Sequence, residues 1–215
     1  MDNLMTRQLD LILREGQVEY ESNFDLEVNP SFLDQKGKAW LQQIYDELGG
    51  TGNLPLLEKL KFDFKLNRNL FVYNDELHFN RYRLITLRSD LYSEFDFQFT
   101  EGVKRVSRTF EKECLKVGMQ ERIWNGSPFS KVCFGKASEP ADFTRNGSPG
   151  WKLTAYNDAQ MDLQSRIHGY KIFRLYPYET LMTGGSLKRL DQLLVNSKEE
   201  QQVMILKWLM RKIER

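Results

Sequence analysis

The hydrophobic period of this chain changes near residue 60, and that change limits the folds open to it. Before it, Gly37, Trp40, Leu41, Ile44, Tyr45 and Leu48 recur at the spacing of one helix face, and Gly49-Gly50 follows as a stop. After it, Phe62, Phe64 and Leu66 alternate with Lys61, Asp63 and Lys65, the period-two pattern of a half-buried strand. Asn67-Arg68-Asn69 is turn chemistry, and Leu70 to Phe79 reads as the returning strand, with the strand signal continuing through Arg81-Tyr82-Arg83-Leu84-Ile85-Thr86-Leu87. Helix and hairpin in adjacent segments require helices packed on a sheet.

The remaining segments extend that scheme. Leu4 to Leu13 carries an apolar helical face stopped by Gly16, residues 17–30 look irregular, and residues 101–117 read as a helix with Val103, Val106, Phe110, Cys114 and Val117 inward. Residues 124–150 have loop composition, and the tetrapeptide Asn-Gly-Ser-Pro occurs there twice, read as turn chemistry rather than a repeat. Trp151 to His168 reads as a helix with Ala155, Ala159, Leu163 and Ile167 on one stripe. Gly169 ends it, and the strand from Tyr170 to Leu175 follows at once. Gly184-Gly185-Ser186 is a turn before a short helix at 186–194. Ser197 and Glu200 form a capping box for a last helix that would bury Val203, Leu206, Met210 and Ile213. The expected architecture is α/β, with α+β as the neighbouring possibility: one small mixed sheet flanked by helices. A single domain spans 1–215, its core at 34–176, with the helix at 4–15 and the helices within 186–213 as additions.

Composition narrows the function classes. Lys and Arg number 31 against 30 Asp and Glu, so a nucleic-acid surface would have to come from clustering rather than from net charge. No apolar run approaches the length of a membrane span, so no membrane partner is expected. Cys114 and Cys133 are too few for a disulfide framework and lack zinc-ligand spacing. Asp2 and Asn3 stand where a secretory leader would be basic, so a cytoplasmic location is expected.

Chemistry concentrates in the hairpin. An even number of loop residues buries both apolar faces together and puts Asp63 and Lys65 on the same side as Glu76 and His78. With residues 67–70 as the loop, Asp63 sits across from Asn74 and diagonal to Glu76, roughly 7–8 Å away at Cα. Two carboxylates at that spacing can share one Mg²⁺, which neutralises charge on a phosphate and acidifies the attacking water, while His78 orients or deprotonates that water. The same polar face also suits the solvent side of a hairpin. Asp75 interrupts an apolar face; it is at a sheet edge, paired with Arg81 or Arg83, or a functional carboxyl. Arg81, Tyr82, Arg83, Arg88 and Tyr92 mix guanidinium forks suited to phosphate with rings suited to bases, or form a solvated strand. Asp158 and Asp162 are like charges one turn apart, relieved by Arg166.

Phe62-Asp63-Phe64, Asn74-Asp75-Glu76-Leu77-His78 and Gly169-Tyr170-Lys171-Ile172-Phe173-Arg174-Leu175 resemble, in their order, the restriction-endonuclease-like superfamily of PD-(D/E)XK nucleases, nearest its very-short-patch-repair branch. The block from Asp75 to Arg83 also resembles uncharacterised bacterial proteins. The nuclease resemblance implies a restriction-endonuclease-like core and a metal-dependent nuclease or nucleic-acid-binding protein. Asp63, Asp75 and Glu76 would bind Mg²⁺, His78 would stand in the place of the usual lysine, and Arg81, Arg83, Arg88 and Lys152 would meet DNA or RNA. The competing class is a non-catalytic domain that binds a protein partner through its aromatic-rich surface or the 124–150 loop.

Overall fold

The computed structural model describes residues 3–195 and 197–214. In chain order its elements are α1 (Leu4–Glu15), β1 (Glu21–Glu27), α2 (Gln35–Glu47), β2 (Lys59–Leu66), β3 (Asn69–Tyr73), α3 (Arg81–Thr86), α4 (Leu91–Glu94), α5 (Thr100–Thr109), α6 (Glu111–Gly118), α7 (Glu121–Trp124), α8 (Pro128–Phe134), α9 (Pro149–Ile167), β4 (Lys171–Leu175), β5 (Thr180–Thr183), β6 (Ser186–Arg189), α10 (Leu190–Val195) and α11 (Glu199–Ile213). Pro30–Phe32 and Glu76–His78 are single turns of 3₁₀ helix. The fold is mixed α/β, with a four-stranded sheet in the order β1-β2-β3-β4 and a separate ribbon, β5-β6. No helix among the described residues is long and apolar enough to cross a membrane.

The chain divides into two compact units. The first comprises Met1–Leu26, Lys61–Asp75 and Tyr170–Arg215. Its centre is the sheet, where β2 and β3 pair antiparallel with Phe64 opposite Phe71, and β3 and β4 pair parallel with Phe71 opposite Phe173. Even-numbered residues of β2 therefore face odd-numbered ones of β3, as the alternation requires. The loop is two residues long rather than four, because Leu66 pairs with Asn69 and Asn67 takes a left-handed conformation at φ +54°. Phe71 and Phe173 stack at 5.0 Å between ring centroids. Leu9, Ile12 and Leu13 of α1 join them in one core with Leu193 of α10 and Leu209 of α11. Each such fully buried side chain contributes about 1.5–3 kcal/mol of transfer free energy.

The second unit comprises Glu27–Leu60 and Glu76–Gly169. Parallel strands need a long crossover, and the chain between β3 and β4 forms most of this unit. Its axis is α9, of whose nineteen residues twelve are buried. So complete a burial is unusual for a helix carrying two aspartates, and the partners of those aspartates define the site described below. Trp124 and Trp151 meet edge to face at 5.1 Å, with Phe143 stacked on Trp124 at 5.6 Å. Tyr45 of α2 packs on Phe134 and Tyr156, each at 5.2 Å.

Several expectations are corrected. Residues 17–30 contain the strand β1 rather than an irregular segment. The strand expected at 70–79 stops at Tyr73, and the segment from Arg81 is the helix α3. The reason is local: the Asn80 side chain accepts hydrogen bonds from the amides of Tyr82, at 3.0 Å, and Arg83, at 3.3 Å, a helix cap that a run of strand formers does not announce. The helix at 101–117 breaks at Phe110 into α5 and α6, which leaves Val117 exposed. The 124–150 segment holds α8, and residues 186–189 form a strand of the β5–β6 hairpin instead of a helix. Helix α11 buries Ile205 and Leu209, exposes Val203, and is capped at Lys198 rather than Ser197.

Candidate active site

The site in the second unit is assembled from the 3₁₀ turn Glu76–His78, the short helix α3 and the middle of α9. Asn80 starts α3 at a fixed place, so that Tyr82, Arg83 and Thr86 all point inward. Helix α9 presents Asp158 and Asp162 one turn apart, both buried. Arg83 is also buried, and its Nη2 donates to Asp162 Oδ2 at 2.6 Å. Its Nη1 donates to the hydroxyls of Tyr92, at 2.9 Å, and Thr86, at 3.1 Å. The Tyr92 hydroxyl in turn donates to Asp162 Oδ2 at 2.7 Å. Arg83 Nε lies 3.9 Å from Asp158 Oδ2, and His78 Nδ1 lies 2.8 Å from that same oxygen.

Two consequences follow from the charges. Burial alone would lower the Arg83 pKa, but Tyr92, Asp162 and Asp158 outweigh it and hold the guanidinium above its ordinary value. It therefore stays charged across the accessible pH range. The guanidinium faces two carboxylates, Asp162 in direct contact and Asp158 at 3.9 Å. An ionised Asp158 can only accept, so the proton between them sits on His78 Nδ1, and Nε2 is the basic nitrogen of the neutral ring. The His78 side chain is 25% exposed, whereas that of Asp158 is 4% exposed: a partly accessible imidazole is held from behind by a buried, braced carboxylate. Chemically, such an arrangement takes a proton from one group and returns it to another.

The residues expected from sequence are distributed differently. Asp63 and Asp75 belong to the first unit, Glu76 and His78 to the second. Asp63 is half-buried on β2, and its Oδ2 accepts the Tyr73 amide at 2.6 Å, which engages the carboxylate within the hairpin. Asp75 follows β3 in an irregular link, and Glu76 opens the 3₁₀ turn, so the diagonal spacing expected between Asp63 and Glu76 on paired strands does not arise. Among the described residues no group of three or more His, Cys, Asp or Glu is placed to hold a metal ion. The expected Mg²⁺ donors thus are not gathered into one set among the described residues.

The expected phosphate-binding residues also separate. Arg83 is sealed inside the network above and does not meet solvent. Arg81 forks onto Glu111, with Nε to Oε1 at 2.9 Å and Nη2 to Oε2 at 3.0 Å, while its guanidinium lies 4.5 Å from the centroid of the Phe143 ring. Arg88 is exposed. Lys152 is buried with its Nζ donating to the exposed Asn146 Oδ1 at 3.0 Å, and burial lowers its pKa with no carboxylate to compensate. Arg166 does not relieve the aspartates of α9; it lies over Phe95 and Phe97, 5.7 and 5.9 Å from their centroids. Sequence reasoning missed the roles of Asp158, Asp162 and Tyr92. The available signal was a pair of acids beside the apolar stripe Ala155-Ala159-Leu163, a place where a carboxylate needs a buried cation.

The chain belongs to a family of unknown function, DUF7255, which matches residues 43–196. The matched stretch includes His78, Arg83, Asp158 and Asp162. No curated protein matches the chain, and no solved structure does.

Proposed function

We propose that this protein is an acid–base catalyst of phosphodiester cleavage in nucleic acid, with His78 as the proton-transfer group and Asp158 as its positioning residue. The observation that carries the reading is the 2.8 Å contact between His78 Nδ1 and a buried Asp158 that Arg83 braces. His78 Nε2 takes the proton of the attacking oxygen, a water or a ribose hydroxyl. Asp158 offsets the charge of the resulting imidazolium, which then returns the proton to the leaving oxygen. Arg88, exposed just after α3, supports an anionic substrate. The substrate class itself comes from the nuclease resemblance of the sequence.

The test is cleavage of labelled single-stranded RNA, single-stranded DNA and duplex DNA, with EDTA or with Mg²⁺, by wild type and His78→Asn. The asparagine amide keeps a donor for Asp158 and removes the base, so folding is preserved while chemistry is lost. We expect cleavage in EDTA that falls by about 10²–10⁴-fold in the variant. Cleavage that requires Mg²⁺ and is unchanged in His78→Asn, or no cleavage of any of the three substrates, would sink the proposal.

A further inference from the structure

The first unit carries a feature that the acid–base site does not use. Strand β5 pairs with β6 on one edge only, and among the described residues no strand lies on its other edge. A groove of about 380 Å³ runs beside β5, bordered by Thr180, Leu181 and Met182 in a row and by α11 opposite. Three consecutive residues of a strand line a groove together when its edge, rather than one of its faces, is turned toward it. Met204 and Trp208 provide a partly buried apolar floor, and Val203 and Met182 stand exposed at the rim, at 48% and 62%. The groove continues into a second of about 400 Å³, which shares Glu200 and Met204 with the first.

The charge around this floor is one-sided. Lys207 and Arg211 line the first groove and Lys188 and Lys198 the second, against the single carboxylate of Glu200. Among the described residues none of these four cations is in an ion pair, whereas the neighbouring Lys212 is held by Glu179. Exposed strand edges are normally blunted or covered, and an edge beside an aliphatic floor and unpaired cations is a template for an added strand. Aliphatic side chains make up most of the exposed apolar surface, so stacked bases are poorly served and a polypeptide is well served.

We propose that this groove binds an extended acidic peptide of a partner protein, which adds as a strand to the free edge of β5. Its main chain bonds to β5, alternate aliphatic side chains rest on Val203, Met204 and Trp208, and its Asp or Glu residues meet Lys207 and Arg211. The inference is independent of the acid–base site.

The experiment is selection of a displayed random-peptide library on the full chain, followed by anisotropy titration of the enriched peptides. Wild type is compared with Lys207→Glu/Arg211→Glu and with Val203→Asp, all exposed positions whose substitution spares the core. We expect enriched peptides that alternate aliphatic and acidic residues, affinity at least about tenfold weaker in both variants, and slowed amide exchange at Thr180–Met182 in the complex. The proposal is overturned by no enrichment, by enrichment of basic or uncharged peptides, or by binding that the variants leave unchanged. It is equally overturned if a single-stranded oligonucleotide displaces the peptides from wild type, which would make the groove a nucleic-acid site. A dimer in light scattering that Val203→Asp dissociates would assign the groove to a second copy instead.

Discussion

At the scale of single residues, Arg83 shows how burial reverses a reading based on residue type. In sequence it is one of several arginines in a basic and aromatic stretch; in the structure it is 1% exposed and satisfies Asp162, Tyr92 and Thr86. Removing one partner from a buried pair leaves the other charge uncompensated, which commonly costs about 3–5 kcal/mol. Arg83→Met is therefore expected to lower the unfolding free energy by that amount, measured by urea denaturation, and Arg83→Met/Asp162→Leu to recover part of it. A loss below about 1 kcal/mol in the single variant would mean that the aspartates find other partners. Asp158 and Asp162 are visible in sequence as like charges one turn apart, with Arg166 on the same helix as the expected relief, but their partner Arg83 lies 75 and 79 residues away in the chain, and no local pattern selects it.

At the scale of elements, the repeated Asn-Gly-Ser-Pro segment turns out to be a helix-starting device used twice. In each copy the glycine is left-handed, at φ +67° for Gly126 and +70° for Gly147, the serine caps, and the proline is the first helical residue. The Ser127 hydroxyl accepts the Ser130 amide at 3.2 Å and that of Ser148 accepts the Trp151 amide at 3.4 Å. The copies differ in setting: Ser127 is exposed, whereas Ser148 is buried and its hydroxyl donates to the Trp124 carbonyl at 2.6 Å. A Cβ at Gly147 would also overlap the Tyr82 hydroxyl. Ser127→Ala should cost about 1 kcal/mol and Ser148→Ala about 2 kcal/mol or more, because the second also leaves a buried carbonyl unsatisfied. Equal losses in thermal denaturation would refute that difference. The turn chemistry of both copies was legible in sequence, while their function as caps depended on what followed each proline.

At the scale of the whole molecule, the buried phenols tie stability to alkaline pH. Burial pushes the Tyr82 hydroxyl from its ordinary 10.0 to about 12, an effect that the amide of Ser148 partly offsets, and burial pushes Tyr45 to about 12 as well. Between those values the unfolded chain has released protons that the folded chain retains, so stability is full below pH 10 and declines as pH rises toward 12. The melting temperature should hold steady up to pH 10 and then fall, and Tyr82→Phe should make the fall shallower. Tyrosinate absorbance at about 295 nm recorded alongside would show part of the phenols ionising only as the protein unfolds; ionisation of all of them before unfolding would contradict the burial of these hydroxyls.

The period-two alternation of Phe62-Phe64-Leu66, the helical stripe from Trp151 and the strand after Gly169 determined by themselves that this chain would be mixed α/β, because periodicity decides which face can be buried. The polar pattern could not decide where β3 stops, since strand and helix formers are intermixed from Asn74 to Leu87 and one capping asparagine tips the balance toward α3. Nor could it pair His78 with Asp158 or Arg83 with Asp162. Those contacts join segments about 80 residues apart, and only the packing of α3 and the 3₁₀ turn against α9 brings the charges close enough, in a dry enough place, to act together.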